Sequence, residues 1–345
     1  MPSKEISYLL SVCIPTYNRA RFIGEALESV VSQYEKSWDG KVEICVSDNA
    51  SSDDTENKVL SFRSKSSLPI TYSKNENNQG FDRNLLKAVS LAHGRYCWLL
   101  GDDDIIESGG ISQVLGILEK EKNLSGISVK RSAYSLDLSH RILDGSMPSQ
   151  SRLYQDLETA FRALAFYVCY ISGQIVNKNL WDGVVAEFPI QNYLNAYVHI
   201  YIIGQMLRKN PRWMYWANPL VGWRSGNDSF LSEMGRFRRL EIDVVGYRDI
   251  ALGVFGRGPM YHYVMALVGS HHVCYHLMTA RSDNVSAGFF VKALGLCLKN
   301  YWRYPAFWFK TFPLFLMPSS VYKSFRWLYR RTWKKRLIKE QGLRA

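Results

Sequence analysis

The stretch Tyr96-Cys97-Trp98-Leu99-Leu100-Gly101-Asp102-Asp103-Asp104 decides how this chain is read. Its apolar run is too short for a helix and suits a buried strand, and three adjacent carboxylates stand where that strand ends. Neighbouring carboxylates repel one another and stay ionised together only beside a cation or in abundant water. A hard divalent ion held by one or two of them, and completed by phosphate oxygens of a substrate, would meet that charge. An acidic, solvated turn is the plainer alternative.

The residues before this stretch favour the first reading. Tyr8-Leu9-Leu10-Ser11-Val12-Cys13-Ile14-Pro15 has the pattern of a short buried strand, broken by Pro15 and by the polar run Thr16-Tyr17-Asn18-Arg19. Phe22, Ile23, Ala26, Leu27, Val30 and Val31 then recur at three- and four-residue spacing, which predicts a helix with one apolar face. Residues 41–47 read as a second strand that ends in the polar loop Asp48-Asn49-Ala50-Ser51-Ser52-Asp53-Asp54-Thr55, and another helix follows. Residues 69–72 give a third strand, Asn78-Gln79-Gly80-Phe81 a turn, and residues 82–93 a helix leading back to the strand at 96–100. Strands alternating with helices predict a mostly parallel, Rossmann-like sheet, and ligands in such sheets bind beyond the carboxyl ends of the strands. Thr16, Tyr17, Asp48 and the acidic run all fall at those ends.

These elements resemble the inverting family 2 glycosyltransferases of the GT-A fold. The resemblance is carried by residues 11–19, residues 46–55, Asn78-Gln79-Gly80-Phe81 with Arg83-Asn84, and the acidic run, four elements in order over the first third of the chain. Within the family the chain is most similar to abequosyltransferase-type enzymes of O-antigen assembly. The resemblance implies that Pro15, Thr16, Tyr17, Arg19 and Asp48 hold the nucleotide, that Asn78, Gly80 and Arg83 lie under the nucleotide sugar, and that Asp102, Asp103 and Asp104 supply the ligands of a Mg²⁺ or Mn²⁺ ion on the diphosphate. Arg83 has a second reading as a salt-bridged helix residue. If the last two acids keep register with the usual Asp-x-Asp-Asp form, Gly101 replaces the first acid, which favours Asp103 and Asp104 as the ligands and catalytic acids. The donor so implied is a nucleotide-diphosphate sugar, with a CDP-linked 3,6-dideoxyhexose favoured by the subgroup. The acceptor is a polyprenyl diphosphate-linked oligosaccharide.

Displacement at the anomeric carbon needs a base for the acceptor hydroxyl. Aligning Val198-His199-Ile200-Tyr201 with the family's acid at a helix start puts His199 at that position, and an imidazole titrates near neutrality. A packed core histidine would look the same in sequence, and Asp182, Glu187 and Asp228 are rivals. Arg224, in Trp223-Arg224-Ser225-Gly226-Asn227-Asp228, matches the family's basic residue that reaches back to the diphosphate, a task suited to a guanidinium fork.

At 345 residues and 47% hydrophobic, the chain can bury a large core. We expect a catalytic domain over residues 1–235, with nucleotide-sugar binding in 1–110 and the acceptor side in 111–235, followed by a helical, aromatic and basic region over 236–345. The six cysteines are far apart and include no C-x-x-C, which predicts reduced, buried thiols in a cytoplasmic protein. The first apolar run is short and contains Pro15, unlike a signal peptide. Residues 301–345 hold eleven basic side chains against one acid, Glu340, so nearly all of the formal charge of +12 sits there, interleaved with aromatics. No apolar run reaches the roughly 18 residues of a spanning helix. The expectation is peripheral association of 301–345 with the anionic inner face of the cell membrane, through an amphipathic helix at residues 321–336. A nucleic-acid binder would spread its basic surface over the folded domain. A sugar nucleotidyltransferase would carry a Gly-rich basic loop where this chain has Pro15-Thr16-Tyr17.

Overall fold

A computed structural model describes residues 8–142, 148–165 and 167–329. The chain divides into two compact units, Met1–Asn227 and Asp228–Ala345, so the first unit closes somewhat before the expected residue 235. The first unit holds strands β1 (Tyr8–Thr16), β2 (Val42–Asp48), β3 (Ile70–Lys74), β4 (Gly94–Leu99), β5 (Ile105–Ile106), β6 (Gly126–Tyr134), β7 (Arg141–Ile142), β8 (Arg152–Tyr154), β9 (Gln174–Asn177) and β10 (Trp213–Arg224). Its helices are α1 (Ile23–Val31), α2 (Thr55–Lys65), α3 (Phe81–Leu91), α4 (Gly110–Lys120), α5 (Leu157–Leu164), α6 (Lys178–Glu187) and α7 (Val198–Lys209).

The strands form one sheet in the order β3-β2-β1-β4-β9-β6-β10-β5, with β7 beside β6 and β8 beside β10. The four strands read from the sequence, β3, β2, β1 and β4, are parallel, as their helical crossovers require. The other half corrects the expectation of a mostly parallel sheet. β9 runs antiparallel between β4 and β6, and β5, β7 and β8 also pair antiparallel, so the sheet is mixed.

Leu10, Val12 and Ile14 of β1 and Val42, Ile44 and Val46 of β2 share one buried cluster with Ile23, Leu27 and Val30 of α1 and Ile111, Val114 and Leu118 of α4. Each such side chain, fully withdrawn from water, contributes on the order of 1.5–3 kcal/mol, and this layer is what makes the strand ends a rigid platform. Cys13, Cys45 and Cys97 lie buried as free thiols in β1, β2 and β4, with Cys13 opposite Cys45.

The second unit is helical: α8 (Ser229–Phe255, kinked at Gly235), α9 (Pro259–Ser270), α10 (His272–Ser282), α11 (Ala287–Tyr301), a π-helical turn (Phe307–Thr311), α12 (Phe312–Leu316) and α13 (Ser319–Tyr329). At its centre the buried Asp243 receives His276 Nε2 at 2.7 Å, His272 Nδ1 at 3.2 Å and Arg239 Nη1 at 2.6 Å. Burial opposes its charge, but these partners outweigh that and hold the carboxyl well below its usual range. Among the described residues no helix is long and apolar enough to cross a membrane. The amphipathic helix expected over 321–336 lies only partly within the described residues, because 330–345 fall outside them.

Candidate active site

Three loops meet at the carboxyl ends of the parallel strands. Thr16 and Asp48 are opposite one another at the ends of β1 and β2, and Leu100 N–H donates to Cys13 O at 2.9 Å, which draws the end of β4 alongside. The loop after β1 is strapped to the loop after β2. Asn18 N–H donates to Ser51 Oγ (2.8 Å), Arg19 N–H to Thr55 Oγ1 (3.0 Å), and Ala20 N–H to Asp53 Oδ2 (3.0 Å). The buried Asn84 of α3 ties the same corner together, donating to Thr16 O (3.1 Å) and Ser47 O (3.0 Å) while accepting from Ser47 Oγ (2.7 Å).

Asp48 is fully buried, with Ser51 N–H on one oxygen and the Tyr72 hydroxyl on the other, each at 2.7 Å. It shapes the crevice wall and is not presented openly to a ligand. Pro15 and Thr16 are buried, whereas Tyr17 and Arg19 are partly exposed. Asn78 is exposed and bonds Asn49 Nδ2 (2.7 Å) and Gly80 N–H (2.9 Å). Gly80 starts α3 with φ of 84°, a conformation costly for any side chain bearing a Cβ. Arg83 is exposed on the first turn of α3.

The acidic run turns back on itself after β4. Asp102 and Asp104 are buried and Asp103 is partly exposed. Arg19 Nε lies 3.6 Å from Asp102 Oδ1. Ser172 Oγ donates to Asp104 and accepts Gly101 N–H at 2.8 Å, and Asn227 donates to Asp103. Burial, then the charge of Asp103, pushes Asp102 up to about 7 against the pull of Arg19. The same two causes push Asp104 to about 8 against hydrogen bonds from Ser172 and Tyr170. Burial also raises Asp103.

This donor set fits a divalent cation on the diphosphate of a donor. Two of the carboxyls are lifted by burial and by a neighbouring negative charge, which a cation would relieve. Among the described residues no three His, Cys, Asp or Glu side chains converge as a ligand set, so the run does not act as a three-carboxylate cage. One or two carboxylates with substrate phosphates completing the shell is the arrangement Mg²⁺ commonly takes.

Two further sequence candidates are placed otherwise than expected. Arg224 is buried, and its guanidinium is already divided among Asp103 O (Nε, 2.7 Å), Leu136 O (Nη1, 2.8 Å) and the Glu25 carboxylate (Nη2), with the Phe22 ring 4.9 Å below. As placed it braces the acidic loop and does not reach out to a phosphate. His199, in the first turn of α7, is 1% exposed, and its Nε2 lies 3.2 Å from Cys169 O. Burial lowers its pKa to about 4, which replaces the near-neutral value expected of a free imidazole, because charge is disfavoured where water is excluded. Its rivals are also engaged. Asp182 pairs with Lys178, Glu187 with Lys209, and Asp228 belongs to the second unit, where it accepts Leu231 N–H at 2.9 Å and meets Arg239 at 3.0 Å.

Other residues matter here that sequence reading passed over. Ser172 links the main chain at Gly101 to Asp104, and Trp98 Nε1 donates to Ser172 O at 2.8 Å. The guanidinium of Arg131 lies over the rings of Tyr170 (4.7 Å) and Trp223 (5.2 Å). Asp82 accepts Ala196 N–H (2.7 Å) and Val198 N–H (3.2 Å), so a side chain from α3 caps the start of α7. The one available signal was Asp82 itself, an acid adjoining the Asn78-Gln79-Gly80-Phe81 turn. Its partner lies too far along the chain for local reading.

The profile described as Glycosyl transferase family 2 matches residues 11–181. An abequosyltransferase of Salmonella typhimurium is 32% identical over 252 residues, covering 70% of this chain and 74% of that one. A GalNAc(5)-diNAcBac-PP-undecaprenol beta-1,3-glucosyltransferase of Campylobacter jejuni is 35% identical over 130 residues, 34% of this chain and 40% of that one. Among solved structures, S. aureus TarS 1-349 in complex with UDP-GlcNAc superposes with a TM-score of 0.66 at 16% identity, covering 92% of this chain and 91% of that one. A mannosyltransferase of Pyrobaculum calidifontis in complex with GDP-Man and Mn2+ gives 0.54 at 15% identity, over 96% and 90%. At these identities the two structures share the fold.

Proposed function

Because the chain belongs to glycosyl transferase family 2, we propose that this glycosyltransferase moves a sugar from a nucleotide-diphosphate donor to a hydroxyl of a polyprenyl diphosphate-linked oligosaccharide, with Mg²⁺ or Mn²⁺ as cofactor. The observation that carries this reading is the acidic run at the end of β4, three carboxyls beside the strapped loops of β1 and β2, two of which burial and the charge of Asp103 push toward the neutral form, a cost that a bound cation would relieve. A divalent ion bound there would supply charge compensation to the departing nucleotide diphosphate, commonly worth several kcal/mol.

The protein's own groups divide the rest of the work. The loops of residues 16–20 and 49–55 wall the crevice for base and ribose, and Asp48 fixes the second through Ser51 N–H. Asp103 and Asp104 are the metal-facing acids, with Asp102 turned to Arg19. Arg224 holds the main chain of Asp103 in place. The likeness to an abequosyltransferase supports a CDP-linked 3,6-dideoxyhexose as donor and O-antigen assembly as the setting. The basic, aromatic 301–345 region supports a place on the cytoplasmic face of the cell membrane, where a polyprenyl-linked acceptor would be met.

Thermal denaturation with CDP, UDP, GDP and dTDP, with and without Mn²⁺, tests the reading. One nucleotide should raise the melting temperature in a Mn²⁺-dependent way, by mass action on the folded state. A chain that ignores all four, or answers equally in EDTA, would refute it.

A further inference from the structure

The π-helical turn of the second unit presents large apolar side chains to solvent. Phe309 is 82% exposed, Trp302 55% and Trp308 40%, and Leu316 is 70% exposed one helical turn beyond Phe312. Several of them are close together along the chain: Trp308 Nε1 donates to Trp302 O at 2.8 Å, the Trp308 and Phe312 rings are 5.0 Å apart, and Phe309 follows Trp308 directly. Scattered apolar residues on a surface need no explanation, but large exposed aromatics this close together do. The patch is also firmly mounted. Phe307 and Thr311 point inward and are buried, with Thr311 Oγ1 donating to Gly269 O at 2.6 Å. The outward residues therefore stand on a fixed base.

Along this stretch of the chain the charge has a single sign. No carboxylate occurs between Asp283 and Glu340, while Arg303 and Lys310 flank the exposed rings, Arg303 with its guanidinium 5.0 Å from the Trp302 ring. A second copy of the same face would set these cations against each other. An anionic lipid surface accepts both features, since indole and phenyl rings settle at headgroup level and each nearby basic residue adds on the order of 1 kcal/mol.

We propose that Trp302, Trp308, Phe309 and Leu316, flanked by Arg303 and Lys310, form a face that inserts into the headgroup layer of an anionic bilayer. It gives a location to the membrane placement proposed above, and it assigns the insertion to a folded, described element ahead of the terminal basic run.

Co-sedimentation of the full chain with phosphatidylglycerol/phosphatidylethanolamine vesicles, and with phosphatidylcholine alone, tests it. Phe309→Asp should lower partitioning onto the anionic vesicles by about tenfold or more, as expected for withdrawing one aromatic anchor. Phe309→Trp should restore it, and Leu60→Asp, at an exposed site on α2 of the first unit, should leave it unchanged. Salt should weaken binding without erasing it. Equal partitioning of wild type and Phe309→Asp, or a wild-type chain that ignores vesicles, overturns the proposal. So does a dimer that Phe309→Asp dissociates while vesicle binding persists. Mn²⁺-dependent stabilisation by nucleotide, measured on the same variants, should stay at the wild-type level, and its absence from wild type would sink the donor reading without touching the vesicle result.

Discussion

Gly101 accounts for the acidic run beginning one position late. A Cβ at 101 would sit 3.0 Å from Asp104 Oδ2 and 3.1 Å from Ser172 Oγ, the very pair that hydrogen bonds there. Contacts that close ask one of these side chains to give by a few tenths of an ångström, a displacement that glycine avoids. Asp103→Ala and Asp104→Ala should each abolish transfer and the Mn²⁺-dependent part of nucleotide binding while the circular dichroism melt stays cooperative. Calorimetric titration checks the binding, and an active double variant with full activity in EDTA would sink the metal reading. His199 leads to a different expectation from the one its sequence position suggests. Removing a buried ring leaves a cavity, so His199→Ala should cost about 2–4 kcal/mol of stability by urea titration. Turnover per folded molecule should change less than about tenfold, against the 10² to 10⁴ typical of a lost general base. A folded variant with the larger loss would restore His199 as the base. Tight sites such as these were only half legible: the Asp triplet announced itself by crowding, whereas the burial of His199 depends on what packs over it.

The start of α7 depends on a distant residue. Its first turn exposes unpaired N–H groups, and the Asp82 carboxylate accepts two N–H groups there, at Ala196 and Val198. Burial lifts Asp82 to about 6 against those same hydrogen bonds. The folded chain therefore holds this proton more tightly than the unfolded chain, where a carboxyl titrates near 4. As pH rises from about 4 to 6 the unfolded state ionises first and stability falls, and above that window the full cost is present. Asp82→Asn lacks the titration, so the wild-type advantage in melting temperature over this variant should shrink between pH 4 and 7. A constant difference across that range would show that the carboxyl is not perturbed. The helices and parallel strands of the first hundred residues were readable from short apolar runs bounded by breakers, Gly80 before α3 among them, although Pro15 did not stop β1, which continues to Thr16 in register with β2. The antiparallel placement of β9 was not, since four residues, Gln174–Asn177, carry too little pattern to say which neighbours they join.

At the scale of the whole molecule, the proposed function would link metal, nucleotide and proton through one loop. Asp102 near 7 and Asp104 near 8 bind protons in the range where a cation would compete for them. The Mn²⁺-dependent rise in melting temperature with nucleotide should therefore grow between pH 6 and 8.5, because ligand carboxylates must be deprotonated. A rise that is flat with pH would place the ion elsewhere. The sequence by itself determined the alternation of strand and helix, the placing of Thr16, Asp48 and the Asp run at strand ends, the free thiols, buried at Cys13, Cys45, Cys97 and Cys297 but only partly at Cys169 and Cys274, and the concentration of positive charge after residue 300. All of these follow from periodicity and composition, which are local. Only the tertiary structure decided what the candidate groups touch. Arg224 meets Glu25 across 199 positions and Asp103 across 121, and Asp82 reaches α7 across 114. A side chain's charge state and reach are set by the water it loses and the partners it gains, and both come from segments that lie side by side only after folding.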